Sequence, residues 1–161
     1  MGSPRQGTLA IVMTSAQDPA SPRPPTDTDD AVDFILERYR AFAVVGASPR
    51  SHRPSHGVMQ TLLANGFDVV PVNPECDAVL GRRAYPDLAS AAIDHDIEVV
   101  DIFRRSQVAG AHVDEAIAIG AAAVWMQLGV IDEAAAQRAR EAGLAVVMDR
   151  CPAIELRRRA A

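Results

Sequence analysis

The sequence predicts an α/β fold in which a single doubly wound, five-stranded, mainly parallel sheet is flanked by helices. Three observations carry this expectation. Five short apolar runs recur along the chain, and amphipathic stretches of helical length separate them. The runs are apolar nearly throughout, as strands covered on both faces are. Helix stops such as Asn65-Gly66, Gly120 and Gly143 stand between the amphipathic stretches and the runs that follow. A chain of 161 residues with 48% hydrophobic and 4% aromatic content has room for one such domain with an aliphatic core.

Residues 1–27 are rich in Ser, Pro, Thr and Asp and read as a flexible leader, with Met13 an alternative start. The folded domain is expected over 28–155. Thr28 is suited to cap its first helix, Asp29 and Asp30 to the first turn, and Val32, Ile35 and Leu36 recur at helical spacing up to Arg40. Ala41–Val45 is the first strand, broken by Gly46-Ala47-Ser48-Pro49. Pro54 suits a helix start, with Val58, Met59, Leu62 and Leu63 on one face. Residues 67–72 form the second strand, in which Pro71 donates no ladder hydrogen bond and so argues against a central position. A looser stretch with Gly81 and Tyr85-Pro86 leads through a short helix near 88–92 to the third strand at 98–103. A helix follows over 106–119, with Val108, Ala111, Ala116 and Ile117 as its expected buried stripe. Residues 122–126 form the fourth strand, Asp132 caps a helix containing Ala134, Ala135, Ala139 and Ala142, and residues 144–148 form the fifth strand. Right-handed helical crossovers between such strands give a Rossmann-like sheet.

Charge narrows the function. A net charge of -5 and a pI near 5.3 argue against a nucleic-acid binder, which usually carries a basic face. Arg157, Arg158 and Arg159 read as a solvated basic tail over 156–161. Cys76 and Cys151 lie in unrelated contexts without a CxxC, which suggests reduced thiols and a cytoplasmic setting. The N-terminal apolar stretch at 9–13 is too short for a signal segment or a membrane span.

In doubly wound sheets a ligand sits beyond the carboxyl ends of the strands, where the strand order reverses. The informative residues are therefore Gly46 to Arg50, Asn73-Pro74, Phe103-Arg104-Arg105, Gln127-Leu128-Gly129 and Asp149-Arg150-Cys151-Pro152. Gly46 permits close backbone approach, the nearby helix start favours phosphate, and Arg50, Arg53, Ser48, Ser51 and Ser55 add charge and hydroxyls. The dinucleotide fingerprint GxGxxG is missing, because Ser48 and Ser51 stand where the later glycines belong. Asn73-Pro74 likewise replaces the acidic residue that holds a ribose in NAD sites. An NAD(P)-binding redox sensor or oxidoreductase is thus the alternative rather than the leading reading.

The strings VVGASPRSHRPSHGVMQTLLANGFDVVPVNP, VDIFRR, VWMQLGV and VVMDRCP resemble, in this order, the small single-domain CoA-binding proteins. That family is similar to the N-terminal domain of the succinyl-CoA synthetase α subunit. The resemblance covers about residues 30 to 155 and implies a Rossmann-type domain that binds coenzyme A or acyl-CoA. It places the diphosphate and 3′-phosphate near Gly46, Ala47, Ser48, Arg53 and Ser55, the adenine and ribose near Val72, Asn73 and Pro74, and Phe103, Arg104 and Val108 along the third-strand side. The phosphohistidine of the ligase lies in a second domain, so no ligase activity is expected of these 161 residues. The implied role is a non-catalytic carrier or sensor, with a homodimer an open option for the alanine-rich helix faces.

The remaining residues favour structural roles. His52 and His56 lie four apart but lack a further ligand for a metal, and His95 and His112 read as surface residues. Trp125 reads as structural, and Asp101 and Asp149 as residues that orient loops through backbone hydrogen bonds rather than as an acid/base pair. No Ser/His/Asp arrangement stands out. Cys151 falls at the ligand end of the fifth strand, where it reads either as a buried small hydrophobe or as a thiol able to form a mixed disulfide with CoA.

Overall fold

The computed structural model describes residues 22–160. The leader reading for residues 1–21, with the alternative start at Met13, lies outside them. Helix α1 spans Thr28–Arg38, β1 Ala41–Val45, α2 Pro54–Ala64, β2 Asp68–Val72, β3 Ala78–Val79 and β4 Arg82–Arg83. They are followed by α3 Leu88–Asp94, β5 Val99–Ile102, α4 Ser106–Ala118, β6 Ala123–Met126, α5 Glu133–Glu141, β7 Ala145–Val147 and α6 Pro152–Ala160. The main sheet has the order β2-β1-β5-β6-β7 and all its pairings are parallel. Strand order therefore reverses between β1 and β5, and the carboxyl ends of these two strands mark where a ligand crevice opens.

Each face of the sheet carries its own core. Val45, Val72, Val100, Ile102, Val124 and Met126 point to the side covered by α3, α4 and α5. Phe42, Val44, Val69, Val99, Trp125 and Val147 point to the side that buries Ile35, Leu36, Met59 and Leu62 of α1 and α2, and Ala153 of α6. The alternation follows from the two-residue period of a strand, and both sides are apolar because both are covered. Pro71 sits on β2, an edge strand, where its missing N–H disturbs no inner ladder.

Several local expectations are corrected. The N-cap of α1 is Asp27, whose carboxylate accepts from the Asp30 N–H at 3.1 Å, and Thr28 is already helical. The buried stripe of α4 is Ala109, Gly110, Val113 and Ala116, while Ala111 is exposed and Val108 and Ile117 are half-buried. Close approach to α5 decides this: a Cβ on Gly110 would stand 2.7 Å from Asp132 Oδ2, so the smallest residues rather than the largest apolar ones face the neighbour. The short β3–β4 hairpin was not anticipated, and neither was α6. Residues 157–159 belong to that helix, where Arg159 pairs with both Asp33 and Glu37 of α1 and Arg158 with Glu155. His112 is half-buried with Nδ1 3.6 Å from Glu115, whereas His95 is exposed and its Nε2 lies 3.1 Å from the Tyr85 hydroxyl.

Asp101 departs furthest from expectation. It lies on β5 between Val44 and Trp125, is fully buried, and neither carboxyl oxygen has a hydrogen-bond partner. Burial pushes its carboxyl well above the usual range, because the apolar surroundings penalise the charged form. It orients no loop. Asp149 does: at φ 60° it accepts from the Gly129 N–H at 2.7 Å. Trp125 is fully buried and donates from Nε1 to the Arg150 carbonyl at 2.9 Å, a structural role.

Candidate functional site

The site is built from the turn after β1. Gly46 donates its N–H to the Val72 carbonyl on one side, while the next strand passes close on the other, with Phe103 N donating to the Val45 carbonyl. Gly46 has φ +84°, and a Cβ there would run into the Phe103 carbonyl oxygen. Only glycine fits where β1, β2 and β5 converge. Beyond it the loop is held by its own polar groups. Ser48 N–H donates to Ser55 Oγ at 3.1 Å, Arg50 N–H to Ser48 Oγ at 3.2 Å, and Arg53 N–H to the Arg50 carbonyl at 3.1 Å. Arg53 is the N-cap of α2 without a side-chain cap, and Pro54 is its first residue. The positive end of α2 therefore opens onto the same space as the loop.

Neighbouring strand ends brace this loop. Asn73 Nδ2 donates to the Ala47 carbonyl at 2.7 Å, and Asn73 Oδ1 accepts from the Glu75 N–H at 2.8 Å, which ties the end of β2 to the turn after β1. On the other side Ser106 Oγ donates to the Gly129 carbonyl and accepts from the Ile131 N–H, fixing the segment after β6.

Between these segments lies a cavity of about 860 Å³. Small-molecule and cofactor sites are typically about 300–1,000 Å³. Of the residues singled out in the sequence, Gly46, Ser48, Arg53, Ser55, Asn73, Phe103 and Arg104 stand in its wall. Ala47, Val72, Pro74 and Val108 do not. Ala47 and Val72 are buried in the opposite cores, Pro74 is exposed beside the wall, and Val108 is half-buried on α4. The two-residue alternation along β2 turns the Val72 side chain into the core, so it adds nothing to the wall.

The wall also contains residues that the sequence reading did not assign to the site: Arg50, Glu75, Cys76, Gln127, Leu128 and Val130. Arg50, Gln127 and Leu128 were legible as loop residues after strands. Glu75 and Cys76 lie past Asn73-Pro74, and only the fold of the following segment brings them back to the cavity. Arg50, Arg53 and Arg104 have no ion-pair partner among the described residues. Three free guanidinium groups thus face one wall carboxylate, Glu75, in a chain that is acidic overall. Such a surplus of fixed donors suits a multiply charged phosphate ligand.

Residues 40–157 match the family model described as the CoA binding domain. The chain belongs to the CoA binding domain family. It is 38% identical over 117 residues to the uncharacterized protein YneT of Bacillus subtilis strain 168, a match covering 73% of this chain and 85% of that one. Among solved structures it is similar to a hypothetical protein from Pyrococcus horikoshii OT3, with 41% identity, a TM-score of 0.78, and coverage of 88% of this chain and 99% of that one. It also shares a fold with the dinucleotide-forming acetyl-coenzyme A synthetase 1 of Ca. Korarchaeum cryptofilum, at 22% identity and a TM-score of 0.59, over 68% of this chain and 26% of the synthetase. The resemblance read from the four sequence segments is therefore shown.

Within this CoA binding domain Cys151 takes the first of its two readings, the buried small hydrophobe, and Cys76 is the thiol at the cavity. Cys151 is buried among Trp125, Val147 and Ala153 and does not reach the cavity wall, whereas Cys76 stands in it. Burial, assisted by the neighbouring Asp77 carboxylate, pushes the Cys76 thiol up. His56 is buried with an unpartnered Nδ1, while His52 is exposed. Among the described residues no three His, Cys, Asp or Glu side chains gather as metal ligands, and no helix is long and apolar enough to cross a membrane.

Proposed function

We propose that the cavity binds coenzyme A or an acyl-CoA, and that the protein acts as a non-catalytic carrier or sensor in the cytoplasm. The observation that carries this reading is the set of free guanidinium groups of Arg50, Arg53 and Arg104 around one cavity, at the strand-order switch and beside the N-terminus of α2. In this reading Ser48, Arg50, Arg53 and Ser55 take the phosphates, Asn73 and Glu75 border the nucleoside, and Phe103 and Arg104 lie along the rest of the ligand. Membership of the CoA binding domain family supports it, as does likeness to part of an acetate–CoA ligase of Archaeoglobus fulgidus, 29% identical over 65 residues, of which this chain spans 10%. The wall itself contains Ser48, Ser55 and Cys76 but no histidine. The two cysteines are free, which suits a reducing compartment.

A second reading is favoured by one residue. Glu75 puts a carboxylate in the cavity near the end of β2, the region where dinucleotide sites hold a ribose hydroxyl. Calorimetric titration with CoA, acetyl-CoA, NAD, NADP and ATP, repeated on Arg53→Ala and Glu75→Gln, separates the readings. Binding of CoA that weakens about tenfold or more in Arg53→Ala, as loss of a charge-assisted hydrogen bond predicts, supports the proposal. Binding of NAD or NADP alone, lost in Glu75→Gln, moves the protein to the redox class. Absence of binding by every nucleotide favours a protein-interaction module.

A further inference from the structure

The cavity wall holds one buried polar side chain whose amide has no partner in the protein. Gln127 follows β6, is only 7% exposed, and forms part of the cavity wall. Its Oε1 is shut off from solvent without a hydrogen-bond partner. The Gln127 backbone is engaged, its N–H donating to the Ile102 carbonyl and its carbonyl accepting from the Val130 N–H, so the residue is held in place while its amide is idle. Beside it in the same wall stand Val130 and Leu128, the latter 52% exposed although large and apolar.

A buried amide left unsatisfied is costly, and a ligand that supplies the missing partner recovers that cost on binding. The terminal torsion of glutamine is soft, so a half-turn presents either oxygen or nitrogen to the cavity. A secondary amide fits as the partner: its N–H donates to Oε1 or, after the half-turn, its carbonyl accepts from Nε2, one trans amide making one of these bonds at a time. Apolar Leu128 and Val130 in the same wall suit the methylene groups next to such an amide. Gln127 stands on the β6 side of the cavity, whereas Ser55 and Arg53 at the start of α2, with Asn73 after β2, lie on the other side of the β1 turn.

We propose that Gln127, with Leu128 and Val130, forms a subsite that recognises the amide-bearing pantetheine arm of the ligand, and that Gln127 sets the preference for the whole cofactor over its nucleotide half. This rests on the reading that the cavity binds CoA. The test compares CoA with 3′-phosphoadenosine 5′-diphosphate, which keeps the phosphates and adenosine but lacks the arm, by calorimetry on the wild type, Gln127→Leu and Gln127→Ala. The wild type is expected to bind CoA more tightly than the truncated nucleotide. In both variants CoA affinity is expected to fall about tenfold, the scale of one neutral hydrogen bond, while affinity for the truncated nucleotide is unchanged. The unchanged nucleotide affinity also establishes that each variant is folded. Equal loss for both compounds, or no loss for CoA, overturns the assignment of Gln127. Failure of the wild type to bind either compound overturns the CoA reading itself, and the two failures are thus distinguishable.

Discussion

Asp101 gives the protein a pH dependence that replacement of one residue removes. Its carboxyl group is wholly buried on the middle strand of the sheet, flanked in register by Val44 and Trp125, with both oxygens unpartnered. Burial raises its folded-state pKa well above the unfolded one. Below about pH 4, the ordinary aspartate value, the group is protonated in both states and its ionisation has no effect on stability. As the pH rises further, the unfolded chain releases the proton while the folded protein retains it. Stability then falls by a little over 1 kcal/mol for each pH unit separating the two pKa values, and levels off above the folded-state value. Asp101→Asn keeps the shape and removes the titration. Thermal melting of both proteins between pH 4 and pH 8 should show near-equal midpoints at the acid end and a gap that opens with pH in favour of the variant. At the usual scaling the gap grows by about 3 °C per pH unit until it saturates. Asp101→Val, which also removes the two unsatisfied oxygens, should be more stable by about 1–3 kcal/mol even at pH 4. A gap between Asp101→Asn and wild type that stays constant across this range refutes the argument, because it means the buried carboxyl does not titrate differently on folding.

Three further outcomes follow from the geometry. Gly46→Ala should lower stability by about 2 kcal/mol or more in urea denaturation, since a left-handed φ of +84° alone costs about 1–2 kcal/mol and the Cβ also meets the Phe103 carbonyl. The same substitution should weaken ligand binding, because the displaced backbone lines the cavity. Gly57→Ala, at an exposed position of α2 with open space around it, should raise stability by about 0.5–1 kcal/mol and the melting temperature by a few degrees. Arg159→Ala removes the pairs to Asp33 and Glu37, which are partly exposed, so its cost should stay below about 1 kcal/mol and shrink in high salt. Hydrogen exchange should nevertheless show faster opening of the last turn of α6.

The order and approximate extent of the five main strands and of the helices α1 to α5 are legible in the sequence, because each is written locally. Apolar runs such as Ala41–Val45, the Pro54 start and the Asp132 cap are signals within one segment. Gly46 was legible for the same reason, as a glycine directly after a strand. Tertiary structure alone decided the strand order that places β1 beside β5, and with it the position of the cavity. It decided that α6 is a helix, since its Arg159 finds Asp33 and Glu37 more than 120 residues away in the chain. The two-residue strands β3 and β4 are too short to leave a periodic signal. Asp101 reads in the sequence as a residue that orients a loop, and only its burial on β5 between Val44 and Trp125 shows that no partner reaches it. Glu75 and Cys76 enter the cavity wall, and the Gln127 oxygen is left without a partner, for the same reason. Hydrophobic pattern and turn chemistry act between near neighbours in sequence, whereas burial, unsatisfied polar groups and the composition of a cavity depend on segments that meet only when the sheet has formed.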